Sequence, residues 1–349
     1  MIEPSIRGRG VAIQTPNRFD STHYAIDPDL DEPPPEDPRT EYIPDATKTI
    51  IVHNQSPDIG FNASINVYRG CEHGCCYCFA RPSHEYLGYS AGLDFETKIV
   101  VKYDAPALLR KELMAPRYKP ERIAMSMNSD CYQPAERRFQ LTRGCLAVLA
   151  EFRNPVSILT KNALVTRDID LFVQLAAVQA TSVFLSITSL DNDLIGVMEP
   201  RTSRPAARLG ALRALADAGI PCGVMIGPII PGLTDPEVPA ILEAAAAAGA
   251  RWAAWTALRL PWAVKPIVID WLERHYPDRM EKVLNHVREM RGGKLNESAF
   301  HKRHHPDGEY MNMIRTLFHA TCRKLGLNRE RRELSTAAFQ RPGDQLKLF

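Results

Sequence analysis

The sequence predicts an α/β fold: a partial (β/α)6 barrel of parallel strands, of the TIM type, with an N-terminal extension and a C-terminal helical region. Three observations predict it. From Ser64 onward, short β-branched runs alternate with amphipathic stretches and, after a longer first crossover, recur at intervals of roughly 30 residues, the length of a βα unit. Polar residues gather just after those runs, where a parallel α/β barrel builds its active site. Six such units cannot close an eight-stranded barrel, so a partial barrel is the natural solution and a doubly wound open sheet the alternative.

Composition bounds the rest. The 349 residues are 45% hydrophobic and 24% charged, as in soluble globular proteins, with no apolar run long enough to span a membrane. The N-terminal MIEPSIRGRG lacks an apolar signal-peptide core, so the expected location is the cytoplasm, where the 8 cysteines serve as thiols or metal ligands. The net charge of +2 hides a split: residues 1–60 carry 5 basic and 11 acidic side chains, whereas residues 263–349 carry 17 and 11. A basic C-terminal part suggests a polyanionic partner, and solvated charged helices give the same count.

In chain order, residues 1–60 form an acidic extension, within which Asp27–Lys48 holds six prolines and little to bury, as in an extended linker or surface wrap. Residues 61–262 form the barrel. Its strand candidates are SINVY (64–68), ERIAMSM (121–127), VSILTK (156–161), SVFLSIT (182–188), PCGVMIG (221–227) and AAWTALRL (253–260). Between them, residues 137–152 and 203–219 read as helices, the second with Ser203 as N-cap, Pro205 in the first turn and Gly219 at the C-terminal cap. No GxGxxG or GxxxxGK[ST] follows a strand, which removes the usual dinucleotide and P-loop readings. Residues 263–328 read as helices around a polar loop at 291–308, a candidate lid or phosphate contact carrying His301, His304 and His305. Residues 329–349 form a basic tail.

The polar residues converge on one mouth. Cys71 follows the first strand; Asn128, Ser129 and Asp130 follow the second; Thr160 and Lys161 end the third; Ser186 and Thr188 end the fourth; a Gly227–Pro228 turn follows the fifth. This arrangement favours an enzyme over a structural module.

The segment GCEHGCCYCFAR, residues 70–81, places four cysteines in eight positions. Cys71, Cys75 and Cys78 form C-x3-C-x2-C, and three protein thiolates on a cubane cluster leave one iron open to substrate or cofactor. Cys76 points away from a loop that wraps such a cluster, because adjacent side chains diverge. A zinc site completed by His73 or His84 is the alternative, although a second CxxC pair is absent. Cys145 and Cys222 sit in apolar patterns as core residues.

These residues carry a resemblance. YRGCEHGCCYCFARP resembles the signature of the radical S-adenosylmethionine superfamily, C-x3-C-x-aromatic-C, with Tyr77 as the aromatic. ARPSHEYLGYSAGLDFETK, DCYQPAER, LTKN, MEPRTSRPAARL, IGPIIPGLTD and RGGKLNES resemble a bacterial subgroup related to spore photoproduct lyase, described as DNA repair photolyase-like. The resemblance implies a [4Fe–4S] cluster on Cys71, Cys75 and Cys78 whose open iron chelates S-adenosylmethionine, with electrons from a reduced flavodoxin- or ferredoxin-type donor. It implies Tyr77 beside the adenine, the methionyl amino group at Asn128–Ser129–Asp130, and Ser186 at the ribose. Lys161 or Arg201 would pair with the methionyl carboxylate. The usual Gly-Gly-Glu after the second strand is absent. Cys131 stands where relatives carry a proline, so Cys131 and Tyr132 are candidates for a hydrogen relay, against a packed strand-end thiol. The implied reaction is a lyase-type or other radical step on nucleic acid. Radical modification of a metabolite or protein, or a non-enzymatic metal-bearing adaptor, are alternatives. The last residues, Gln345, Leu346, Leu348 and Phe349 within QLKLF, resemble the pentapeptide that docks bacterial repair proteins onto the sliding clamp.

Overall fold

The computed structural model describes residues 6–20, 39–331 and 333–343; the QLKLF tail lies outside the described residues, as does most of the proline-rich segment. Ten strands occur among them: β1 (Glu41–Pro44), β2 (Val52–His53), β3 (Ala63–Ile65), β4 (Tyr68–Arg69), β5 (Lys98–Val101), β6 (Ile123–Met125), β7 (Val156–Thr160), β8 (Thr181–Ser186), β9 (Cys222–Ile229) and β10 (Trp252–Ala257). The main sheet has the order β10-β9-β8-β7-β6-β3-β2, parallel except for the edge strand β2, which runs antiparallel to β3.

Each of the six parallel strands lies beside its predecessor, with no reversal of order. Right-handed crossovers then place the intervening helices on one face, whereas a doubly wound sheet needs a reversal point. One cavity touches residues from β7 to β10 and the loops after β4 and β6, so the sheet curves around it. The partial (β/α)6 barrel is therefore the fold. Its central strands are continuous apolar runs because both faces are covered; all six residues of β8 are buried.

The structure departs from the expected elements at four places. The expected first strand divides: β3 joins the barrel, while β4 pairs with β5 in a small sheet, β1-β5-β4, that also takes in Glu41–Pro44 of the presumed linker. The expected helix 137–152 breaks at Gln140 (φ 52°), because the Glu136 carboxylate accepts the Thr142 amide at 3.0 Å and the Arg143 amide at 3.3 Å and so caps a new helix, Leu141–Phe152. Ser203 does not cap the helix Pro205–Asp217. Its hydroxyl instead accepts the Ala163 amide at 2.8 Å, while Gly219 (φ 75°) ends that helix as expected. Gly227–Pro228 falls inside β9 rather than after it.

Beyond the barrel, helices Val264–His275, Pro277–Glu289 and Glu309–Leu325 flank an irregular loop at 291–308. No helix among the described residues is long and apolar enough to cross a membrane.

Candidate active site

The loop after β4 is held from both sides. Cys71 N–H donates to Phe95 O at 2.8 Å, and Cys76 N–H to Met198 O at 3.1 Å. Arg81 is fully buried; its Nε donates to Cys75 O at 3.0 Å, its Nη1 to Gly92 O at 2.9 Å, and it pairs with the buried Glu96. Glu96 also accepts the Gly10 amide at 3.0 Å, so the N-terminal segment is drawn onto the loop. A Cβ at Gly10 would stand 1.5 Å from Gly74 O, a contact only glycine permits. From the loop after β6, Gln133 accepts the Glu72 amide at 2.9 Å and donates to Gly70 O at 3.1 Å.

Cys71, Cys75 and Cys78 line one cavity of about 210 Å³, and Cys76 does not. Burial raises all three thiols, so without a cationic centre to offset the charge they stay protonated. Among the described residues no three His, Cys, Asp or Glu side chains are placed to hold a single metal ion. His73 faces Asp130, with Nδ1 3.4 Å from Oδ2, and His84 is buried against Phe95. A donor set of three thiols in one cavity that also carries polar side chains fits a cubane cluster carrying one open iron.

The same cavity is lined by Asn128, Ser129, Asp130, Lys161, Ser186 and Tyr77. Ser126, at φ 74°, ends β6 and re-aims the chain; its Oγ accepts the Cys131 amide at 2.9 Å. Asp130 accepts from Thr160 Oγ (2.7 Å), the Lys161 amide (2.7 Å) and the Tyr132 amide (2.8 Å), besides facing His73. Burial alone would raise its carboxyl; His73 and these donors outweigh it and hold it below the usual range. Its four acceptor positions are thus filled, whereas the exposed Asn128 makes no side-chain hydrogen bond.

Lys161 Nζ donates to Ser186 Oγ at 2.7 Å, Gly227 O at 2.9 Å and Thr188 Oγ at 3.1 Å, and lies 3.2 Å from Glu199. Glu199 also pairs with the fully buried Arg208 and accepts the Tyr77 hydroxyl. Burial would raise Glu199, but Arg208 and Lys161 outweigh it and hold the carboxyl well below the usual range. Sequence reasoning missed Arg81, Glu96, Glu199 and Arg208, although all four lie inside the blocks that carry the resemblance.

Three expected site residues lie elsewhere. Arg201 pairs with Glu72 at 3.2 Å and does not line the cavity, whereas Lys161 does. Cys131 and Tyr132 are packed behind the wall, Tyr132 donating to Asp168 at 2.9 Å, so the relay expectation gives way to a packed thiol. Their position follows from two anchors: Tyr132 bonds Asp168 at the end of the 163–168 turn, and Thr142 Oγ, in the helix Leu141–Phe152, donates to Cys131 O at 2.6 Å.

Comparisons with known proteins show the family and the fold. An uncharacterised protein of Mycobacterium tuberculosis is 40% identical over 224 residues, 64% of this chain and 66% of that one, so the match spans about two thirds of the relative. An uncharacterised protein of Methanocaldococcus jannaschii is 36% identical over 173 residues, 50% of this chain and 62% of the other. The solved structure of spore photoproduct lyase complexed with dinucleoside spore photoproduct superposes with a TM-score of 0.59 at 17% identity, over 82% of this chain and 80% of that one, a likeness of fold. The family model of the radical SAM superfamily matches residues 65–245, the cysteine loop and the barrel short of β10, and the chain belongs to that superfamily.

Proposed function

We propose that this chain holds a [4Fe–4S] cluster on Cys71, Cys75 and Cys78, cleaves S-adenosylmethionine reductively, and acts on nucleic acid in a repair-type reaction. The observation that carries the reading is that three of the four clustered thiols line the cavity and Cys76 does not. Held by Cys71, Cys75 and Cys78, a bound cluster would supply the electron for reductive cleavage of S-adenosylmethionine at its sulfonium carbon–sulfur bond, the source of radical chemistry on the substrate.

The chain's own residues bind and orient. Asn128, with its side-chain amide open, receives the methionyl ammonium through Oδ1. Asp130 is a positioning residue that fixes this wall through Thr160 and the Lys161 amide. Lys161 meets the methionyl carboxylate, held in place by Ser186, Thr188 and Glu199. Tyr77, pinned through its hydroxyl to Glu199, offers its ring to the adenine. The apolar part of the wall, Leu159 and Met225, excludes water from the radical. The nucleic-acid part of the reading draws on the likeness to spore photoproduct lyase and on the cationic residues at the cavity mouth. The clamp partner rests on the QLKLF residues alone.

Anaerobically reconstituted, reduced protein is expected to release 5′-deoxyadenosine from S-adenosylmethionine slowly without substrate. Asp130→Ala should lower the rate about tenfold or more, as loss of an orienting neighbour does, and Cys131→Ala should leave it near wild type. Chromatography of quenched reactions measures both. Equal rates in the two variants would contradict the site assignment.

A further inference from the structure

The cavity mouth carries a cationic and aromatic rim that the cofactor site does not use. Arg259, just beyond β10, lines the cavity; its Nε is buried without a hydrogen-bond partner and its guanidinium lies 6.0 Å from the Phe79 ring centroid. Its Nη1 is 3.4 Å from His304 Nε2. Burial, with Arg259 and Arg303 nearby, pushes that imidazole down to about 4, so it is neutral and accepts. Arg291 donates only to the carbonyls of Arg303 (2.9 Å) and Leu258 (3.1 Å). The carboxylate of Asp58 is taken by Arg303 at 2.8 Å. Among the described residues neither Arg259 nor Arg291 forms an ion pair, although the Glu297 carboxylate lies near enough to Arg291 to act on it.

Beside Arg259 the rim turns aromatic. Trp262 is 61% exposed and sits at φ 43°, a costly backbone for a bulky residue. The Arg18 guanidinium lies 4.1 Å from its ring centroid, 4.7 Å from that of Phe19 and 5.4 Å from that of Tyr86. Phe19 is 55% exposed, Tyr86 70% and Phe79 54%, so with Trp262 four large rings from three segments stand open; Phe79 lines the cavity and Trp262 follows the cavity-lining Arg259 by three residues. Exposed rings of this size, gathered together, mark a contact surface.

We propose that this rim is a platform for an unpaired nucleic-acid strand, with bases stacked on Trp262, Tyr86 and Phe19 and a phosphate on Arg259 that leads one nucleotide into the cavity. The inference rests on the nucleic-acid reading above and narrows it. Open rings bind bases through their faces, which a duplex hides and a single strand offers, and guanidiniums without carboxylates complement phosphate.

The test is fluorescence anisotropy with the full chain and a labelled oligothymidine of about 12 nucleotides, alone and annealed to its complement. The single strand is expected to bind about tenfold tighter than the duplex. Trp262→Ala and Tyr86→Ala should each weaken it about tenfold, the usual loss of one stacked base, with unchanged thermal melting. Arg259→Ala should lower the slope of log affinity against log salt by about one. Single-strand binding that survives both ring replacements, or duplex binding as tight, overturns the platform and leaves the nucleic-acid reading standing. Binding of neither oligonucleotide by protein that still cleaves S-adenosylmethionine overturns both.

Discussion

Replacing Cys71, Cys75 or Cys78 with alanine is expected to abolish the brown absorbance and essentially all bound iron after anaerobic reconstitution, while Cys76→Ala keeps both near wild type. The contrast follows from geometry. The three thiols share one cavity wall, and Cys76 is buried behind it, its amide tied to Met198 O at 3.1 Å. A cubane cluster with three protein ligands loses a corner with each of them, and His73 and Asp130, which line the same cavity, are committed to each other. Iron and sulfide assays on the four variants check this. Equal iron loss in Cys76→Ala would contradict the ligand set.

Arg81→Met should be the most damaging change away from the cysteines, lowering stability by about 3–5 kcal/mol because it leaves the Glu96 carboxylate buried without its cation. The same guanidinium holds Cys75 O at 3.0 Å and Gly92 O at 2.9 Å, so iron retention should fall with stability. Arg110, paired with Glu151 on the surface, supplies the control: Arg110→Met should leave the urea midpoint unchanged, since an exposed pair contributes little. Urea unfolding with parallel iron assays compares them. An Arg81→Met protein that unfolds with wild type and retains iron would show that this buried pair does not hold the loop.

Much of this was legible before the fold. The six parallel strands follow from β-branched runs whose two covered faces demand apolar residues throughout, and β7 and β8 begin within one residue of the expected positions. The cysteine loop, Asp130, Lys161 and Ser186 were legible because barrel chemistry gathers at strand ends. Three features were not. Glu136 breaks a helix through side-chain capping that periodicity does not register. The N-terminal segment reaches the cysteine loop through the Gly10 amide, a contact across 86 residues with no local signal. Buried ion pairs such as Arg208–Glu199 read as surface charge until the fold removes them from water. Arg201 shows the converse: in sequence it looks equivalent to Lys161, but Glu72 claims it.

The central claim is that one iron of a three-thiolate cluster is open to S-adenosylmethionine. Electron paramagnetic resonance of the reduced, reconstituted protein, recorded with and without S-adenosylmethionine, tests it most directly. A cluster signal whose line shape changes on adding the cofactor, in wild type and in Cys76→Ala alike, is the expected result. A fully reduced cluster whose spectrum is indifferent to S-adenosylmethionine would contradict it.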